Sequence, residues 1–136
     1  MGHNTFTTLK SGLQIPEFGI GTSAFGGLFA SVSESAVQEV ISTSMALGLH
    51  YFDTAPHYGM GSAEVRLGRN TDHLPRNSFI VSTKVGRLIV PSENLDDPGW
   101  ENSTPSVERI FDFSAGGIER SLTESLERLN MESVEM

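Results

Sequence analysis

Apolar positions change their spacing several times along the chain, and each change marks an element. Residues 7–9 and 13–15 alternate apolar and polar side chains about Ser11-Gly12, the pattern of a small hairpin that Pro16 ends. Residues 17–22 read as a short strand entering a glycine-rich loop that extends through Gly26-Gly27. From near Ser33 the period turns helical, with Val37, Val40, Ile41 and Ser44 on one face and Gly48 closing the helix. Residues 49–52 then form a second strand. Residues 62–69 form a helix with Ser62 as N-cap and Val65 and Leu67 to bury. Phe79 to Thr83 is a nearly unbroken apolar and β-branched run, the composition of a parallel strand covered on both faces.

A long connection follows over residues 87–113, rich in Pro, Asn, Asp and Gly, of a length that usually accompanies function. Within it Leu88-Ile89-Val90 and Arg109-Ile110-Phe111 are expected to pair as an excursion hairpin. Ser114 caps the next helix, in which Ile118, Leu122, Leu126 and Leu129 form an apolar stripe and Glu119, Glu124 and Glu127 face water. Residues 133–136 open a fourth strand. A hairpin, three βα pairs and the start of a strand imply right-handed parallel units of the α/β class. A complete (β/α)8 barrel takes roughly 250 residues, and the chain has 136. The expectation is one partial domain over residues 1–136: the N-terminal half of a TIM barrel, preceded by a β-hairpin and interrupted in its fourth strand.

Composition narrows the chemistry. Without cysteine there is no disulfide framework, thiolate nucleophile or cysteine-ligated metal. A net charge of −8, with nine Lys and Arg among seventeen acids, argues against a nucleic-acid partner. No apolar run approaches the ~18 residues of a membrane helix. The N-terminus lacks the basic and apolar regions of a signal, and Phe6 spoils a myristoylation pattern, so a cytoplasmic location is expected. His3, His50 and His73 show no metal-ligand spacing, and no metal is expected. Asn102-Ser103-Thr104 matches a glycosylation acceptor by chance in such a setting.

The candidate chemistry lies at strand ends. Phe52 to Gly59 carries Asp53 and Tyr58, and Lys84 ends the third strand. Reduction of a carbonyl by hydride needs a proton donor for the developing alkoxide, and the reverse oxidation needs a base. A phenol, with an unperturbed pKa of ~10, needs a nearby cation for that work at neutral pH. Lys84 offers the charge, and Asp53 offers the carboxylate to hold it. Singly, Asp53 reads as a loop cap, Tyr58 as a packing aromatic, His57 as a surface histidine and Arg87 as a solvated cation. A lysine closing a buried strand is the anomaly, since it demands a partner or a cleft. Gly19-x-Gly21-x-x-Ala24 superficially satisfies the dinucleotide fingerprint, but Phe25 to Phe29 intervenes before any helical period, which excludes a Rossmann assignment. Phe25 and Phe29 read either as pocket walls or as loop packing.

These segments together resemble the aldo-keto reductases. The resemblance is carried in order by Gly19-Ile20-Gly21-Thr22, by Tyr51-Phe52-Asp53-Thr54-Ala55-Pro56-His57-Tyr58-Gly59, by Glu64-Val65-Arg66-Leu67-Gly68 and by Ser82-Thr83-Lys84-Val85-Gly86-Arg87. Phe111-Asp112-Phe113-Ser114 and the helix after it are similar to the family's sugar and pyridoxal dehydrogenase branch. The resemblance implies an NAD(P)-dependent oxidoreductase acting on a small aldehyde or sugar. In it Tyr58 is general acid/base, Lys84 and Asp53 are its electrostatic support, and Gly21, Thr22 and Asp53 are cofactor contacts. It further implies that the family's catalytic histidine falls past Met136. A second expectation is a catalytically inactive half-barrel that works, if at all, by association with another chain, because the open edges of such a sheet invite self-association. The acidic run over residues 93–97 reads either as shaping the substrate entrance or as a solvated loop.

Overall fold

A computed structural model describes residues 5–93, 100–102 and 106–136. His3, most of the acidic run 93–97 and Ser103-Thr104 of the glycosylation match lie outside the described residues. The N-terminal hairpin is present: β1 (Phe6–Thr8) pairs antiparallel with β2 (Gln14–Pro16), Phe6 opposite Pro16. Glu17 N–H still donates to Thr5 O at 2.9 Å, so the chain remains committed to the hairpin there. The following strand is therefore shorter than expected, β3 (Ile20–Gly21) rather than residues 17–22.

β3, β4 (Tyr51–Asp53) and β5 (Ile80–Ser82) form a parallel sheet in that order, with Gly21 opposite Asp53 and Asp53 opposite Ser82. α1 (Glu34–Ala46) connects β3 to β4, and α2 (Ser62–Thr71) connects β4 to β5. After β5 comes the expected excursion hairpin, β6 (Arg87–Pro91) antiparallel to β7 (Val107–Phe111), and then α3 (Ala115–Leu129). Glu135 N–H donates to Val81 O at 3.1 Å and Thr83 N–H to Met136 O at 3.0 Å. These bonds lay the C-terminal residues along the edge of β5 away from β4, as a fourth strand begins.

Helix ends show why the boundaries fall where they do. Ser33 and Ser114 cap α1 and α3 through Oγ, accepting from Ala36 N–H (3.2 Å) and Gly117 N–H (3.1 Å). At the end of α1, Gly48 takes φ +77° while Leu49 N–H donates to Ser44 O, a Schellman closure that draws Leu49 into the cap. β4 accordingly begins at Tyr51 instead of residue 49. Ser62 does not cap α2. Gly61, at φ +93°, holds that position, and Ser62 sits in the first turn with its buried Oγ unpartnered among the described residues.

The helices cover one face of the sheet around Phe52, Val81, Val37, Ile41, Leu67 and Leu129. Phe52 meets Phe79 edge to face at 6.4 Å. Val40, expected inside, is 42% exposed. α3 corrects the sequence reading more sharply, because its buried positions are Gly117, Ser121, Ser125 and Leu129, whereas Ile118 is 39% exposed. Close approach selects small residues there. A Cβ on Gly68 of α2 would lie 2.2 Å from Leu129 O, and Ser121 Oγ accepts from Gly86 N–H at 3.0 Å.

Candidate active site

Strand alternation decides which residues gather at the sheet's other face. Phe52 points to the helices, so its neighbours Tyr51 and Asp53 point the opposite way, and the register sets Ser82 beside Asp53. Ser82 Oγ donates to Asp53 Oδ1 at 2.6 Å. Because a serine has one hydroxyl proton, the 3.0 Å contact between Tyr51 and Ser82 has Tyr51 as donor. Lys84 Nζ donates to Asp53 Oδ2 and to Thr54 O, each at 2.8 Å. The outcome is a continuous polar row, Tyr51, Ser82, Asp53 and Lys84, across the C-terminal ends of β4 and β5. Both members of the ion pair are partly solvated.

Tyr58 reaches the same place by a backbone device. The chain turns after Pro56, and Gly59 adopts φ +62° against Gly26. A Cβ on Gly26 would stand 2.4 Å from Gly59 N, so the glycine-rich loop can lie on this turn only without a side chain. The turn sets the Tyr58 ring 4.9 Å from Lys84 Nζ and 5.9 Å from Trp100. Trp100 is anchored in turn by Glu101 and Asn102, whose N–H groups donate to Gly27 O and Gly26 O. Tyr58 and Lys84 thus share one end of a parallel sheet. Partial burial pulls the Lys84 ammonium toward neutrality, but hydrogen bonding and attraction to Asp53, with help from the Tyr58 hydroxyl, prevail and raise its pKa above 10.5.

The two remaining cofactor candidates behave differently. Gly21 is exposed beside Asp53, and a Cβ there would meet nothing within 4 Å. Thr22 is fully buried, and both its N–H (2.9 Å) and its hydroxyl (3.0 Å) donate to Asp53 O. Thr22 holds the backbone that carries Asp53. Phe25 packs in the core, whereas Phe29 is 91% exposed.

Sequence reasoning missed Tyr51, Ser82 and two buried ions. Glu64, fully buried on α2, accepts from Thr83 Oγ1 (2.7 Å) and from Arg128 Nε of α3 (2.6 Å). Arg66, 6% exposed, donates to Glu34 at 2.6 Å and to the carbonyls of Phe25 and Val32. A signal for the polar row was present in the period-two spacing of residues 51 and 53 and of 82 and 84. Among the described residues no group of three or more His, Asp and Glu side chains is placed to hold a metal ion, and no helix is long and apolar enough to cross a membrane.

Known proteins resemble this chain in sequence and fold. D-threo-aldose 1-dehydrogenase of a Pseudomonas species is 37% identical over 131 residues, covering 93% of this chain and 40% of the relative. Pyridoxal 4-dehydrogenase of Microbacterium luteolum is 33% identical over 138 residues, with the same shares. Among solved structures, a putative aldo-keto reductase from Pseudomonas aeruginosa superposes with a TM-score of 0.74 at 28% identity, over 98% of this chain and 44% of that one. An aldo-keto reductase from Klebsiella pneumoniae in complex with NADPH shares the fold at a TM-score of 0.65 and 19% identity, over 98% of this chain and 38% of its own. The chain spans about 40% of the length of the curated relatives it matches, and its fold is that of part of their barrel. Residues 17–136 match the profile of the Aldo/keto reductase family, and the chain belongs to that family.

Proposed function

We propose that this chain supplies the proton-transfer half of a nicotinamide-dependent oxidoreductase site that interconverts an aldehyde or sugar hemiacetal with its alcohol or lactone. One observation carries the reading: Lys84 Nζ lies 2.8 Å from Asp53 Oδ2 and 4.9 Å from the Tyr58 ring at the C-terminal ends of parallel strands. Tyr58 gives its proton to the developing alkoxide, or takes it back in the oxidation. The Lys84 ammonium stabilises the phenolate that remains, and Asp53 fixes the ammonium. Ser82 and Tyr51 in turn orient the carboxylate from behind.

The residues present fit a nicotinamide nucleotide. Gly21 leaves open space beside the Asp53 carboxylate, which suits a hydroxyl-bearing group lying close to backbone. Gly21 and Asp53 are the residues that would hold the cofactor here, with Thr22 positioning Asp53, and the nicotinamide supplies the hydride. Hydride exchange in the polypeptide that bears this segment tests the proposal. Tyr58→Phe should lower the rate by about 10²-fold or more while NADPH still binds, as nicotinamide fluorescence would show. A Tyr58→Phe protein that turns over normally sinks it.

A second reading has its own observation. β3 pairs only with β4, so its other edge is open among the described residues. The segment would then work only against further polypeptide, and light scattering that shows a lone monomer without activity would distinguish the two.

A further inference from the structure

Lys84 is one of three cations at the mouth, and the other two come from the excursion hairpin. Arg87 on β6 and Phe111 on β7 are register partners, and the Arg87 guanidinium carbon lies 4.7 Å from the Phe111 ring centroid. Phe111 stacks on Phe113 at 5.8 Å and 22°. Both phenylalanines are more than 60% exposed, an unusual disposition for apolar rings without a ligand. Gly86 makes this possible. At φ +84° it has no side chain where a Cβ would stand 2.4 Å from the Phe113 ring.

Arg109 on β7 reaches across to β4's loop, where its Nη1 donates to His57 Nδ1 at 3.2 Å. Burial and the two neighbouring guanidiniums hold the His57 imidazole below its ordinary pKa of 6.5, so it is neutral at physiological pH and can accept that bond. Lys84, Arg87 and His57 line a cleft of about 180 Å³ with Val85, Phe111 and Phe113. That volume is below the range of drug-sized pockets and suits a small ring. Asp53, the carboxylate beside the cleft, is occupied by Lys84 and Ser82. Neither Arg87 nor Arg109 forms an ion pair among the described residues. In a chain of net charge −8, Lys84 and Arg87 in the cleft wall, with Arg109 against His57 at its rim, set a local field opposite to that of the whole protein.

We propose that this cleft is a specificity subsite for a small planar ring bearing an oxyanion. The stacked Phe111 and Phe113 form one wall against which the ring packs, Arg87 binds the anion from the cleft wall, and Arg109, aimed by His57, reaches it from the rim. A guanidinium fork matches a carboxylate or phosphate, and it does so at lower desolvation cost than an ammonium. The proposal rests on the reading of the adjoining Tyr58–Lys84 site as the place of carbonyl chemistry, which makes the bound molecule a substrate. It predicts that aromatic aldehydes carrying an acid group are preferred over neutral ones.

Binding tests it without any nicotinamide. Trp100, the chain's single tryptophan, lies 5.2 Å from His57 edge to face, so its fluorescence reports on the cleft. Titration with benzoate, phenyl phosphate and benzyl alcohol should show at least one anion bound about tenfold or more tightly than the alcohol. Whichever anion is tighter identifies the oxyanion class. Arg87→Gln and Arg109→Gln should each weaken anion binding by about tenfold, and Arg69→Gln, at an exposed position on α2, should leave it unchanged. Salt should weaken the anion and spare the alcohol, a check that needs no variant. Equal affinity for the alcohol and both anions, or wild-type titrations in both arginine variants, overturns the proposal. Anion binding that follows these rules in a protein without hydride exchange would leave the subsite standing and remove the proposed function instead.

Discussion

Two carboxylate–cation pairs in this molecule look alike in chemistry and differ in everything else. Glu64 and Arg128 join α2 to α3 at 2.6 Å, with the carboxylate fully buried and the guanidinium 20% exposed. Asp53 and Lys84 join the ends of two strands at 2.8 Å, with side chains 39% and 50% exposed. The interior pair carries a helix contact, and each member depends on the other because water cannot replace it. At the mouth, water can reach the pair, so it contributes little to stability and leaves Lys84 available to its second neighbour, Tyr58. Exposure therefore separates an ion pair that holds the fold from one that water can reach, where the proposed proton transfer is set.

The sharpest way to break this contrast is to remove one partner from the interior pair. Arg128→Ala should destabilise the protein by about 3–5 kcal/mol in urea unfolding, because a buried carboxylate is left with Thr83 alone. Replacing both, as Glu64→Leu with Arg128→Leu, should recover a large part of that loss. If the single variant unfolds like the wild type, Glu64 is not the buried anchor its surroundings indicate.

The corresponding change at the mouth should act on rate. Lys84→Met should alter stability by about 1 kcal/mol or less while lowering hydride exchange by about 10²-fold in the polypeptide that carries the site. A stability loss comparable to that of Arg128→Ala would erase the distinction. Ser82→Ala probes the same row more gently. It removes one bond to Asp53 and should cost roughly 1 kcal/mol in unfolding, with a smaller effect on rate than loss of Lys84 itself.

The contrast also explains what was legible beforehand. Asp53, Tyr58 and Lys84 could be singled out because they stand in short, unusual strings at strand ends, and a lysine after an apolar run demands a partner. The parallel sheet and the excursion hairpin followed from apolar runs and their order. Glu64 and Arg66 were opaque, since a charged residue within a helical period reads as a solvated face until the helix is packed. α3 misled for a related reason. Its leucine stripe predicted the buried face, but α2 and the residues flanking the excursion hairpin, Gly86 and Asp112, approach so closely that Gly117, Ser121 and Ser125 occupy it, a tertiary demand that periodicity does not encode. Ser62 failed as a cap because Gly61 supplies a left-handed entry that serine cannot easily adopt.

Acidity is the gentlest probe of the mouth. The folded pKa of His57 is depressed, so its contribution to stability is present above 6.5 and is lost as pH falls through the folded value. The sign reverses for Lys84: its folded pKa is raised, so its contribution is present below 10.5 and is lost as pH climbs through the folded value. These two groups alone thus shape a plateau between 6.5 and 10.5. Urea midpoints should be level across that range and fall slightly below and above it, with His57→Gln flattening the acid limb and Lys84→Met the alkaline limb. Protonated His57 can no longer accept from Arg109, so Trp100 fluorescence should change with a midpoint below 6.5. A Trp100 transition that persists in His57→Gln would assign the acid limb to another group.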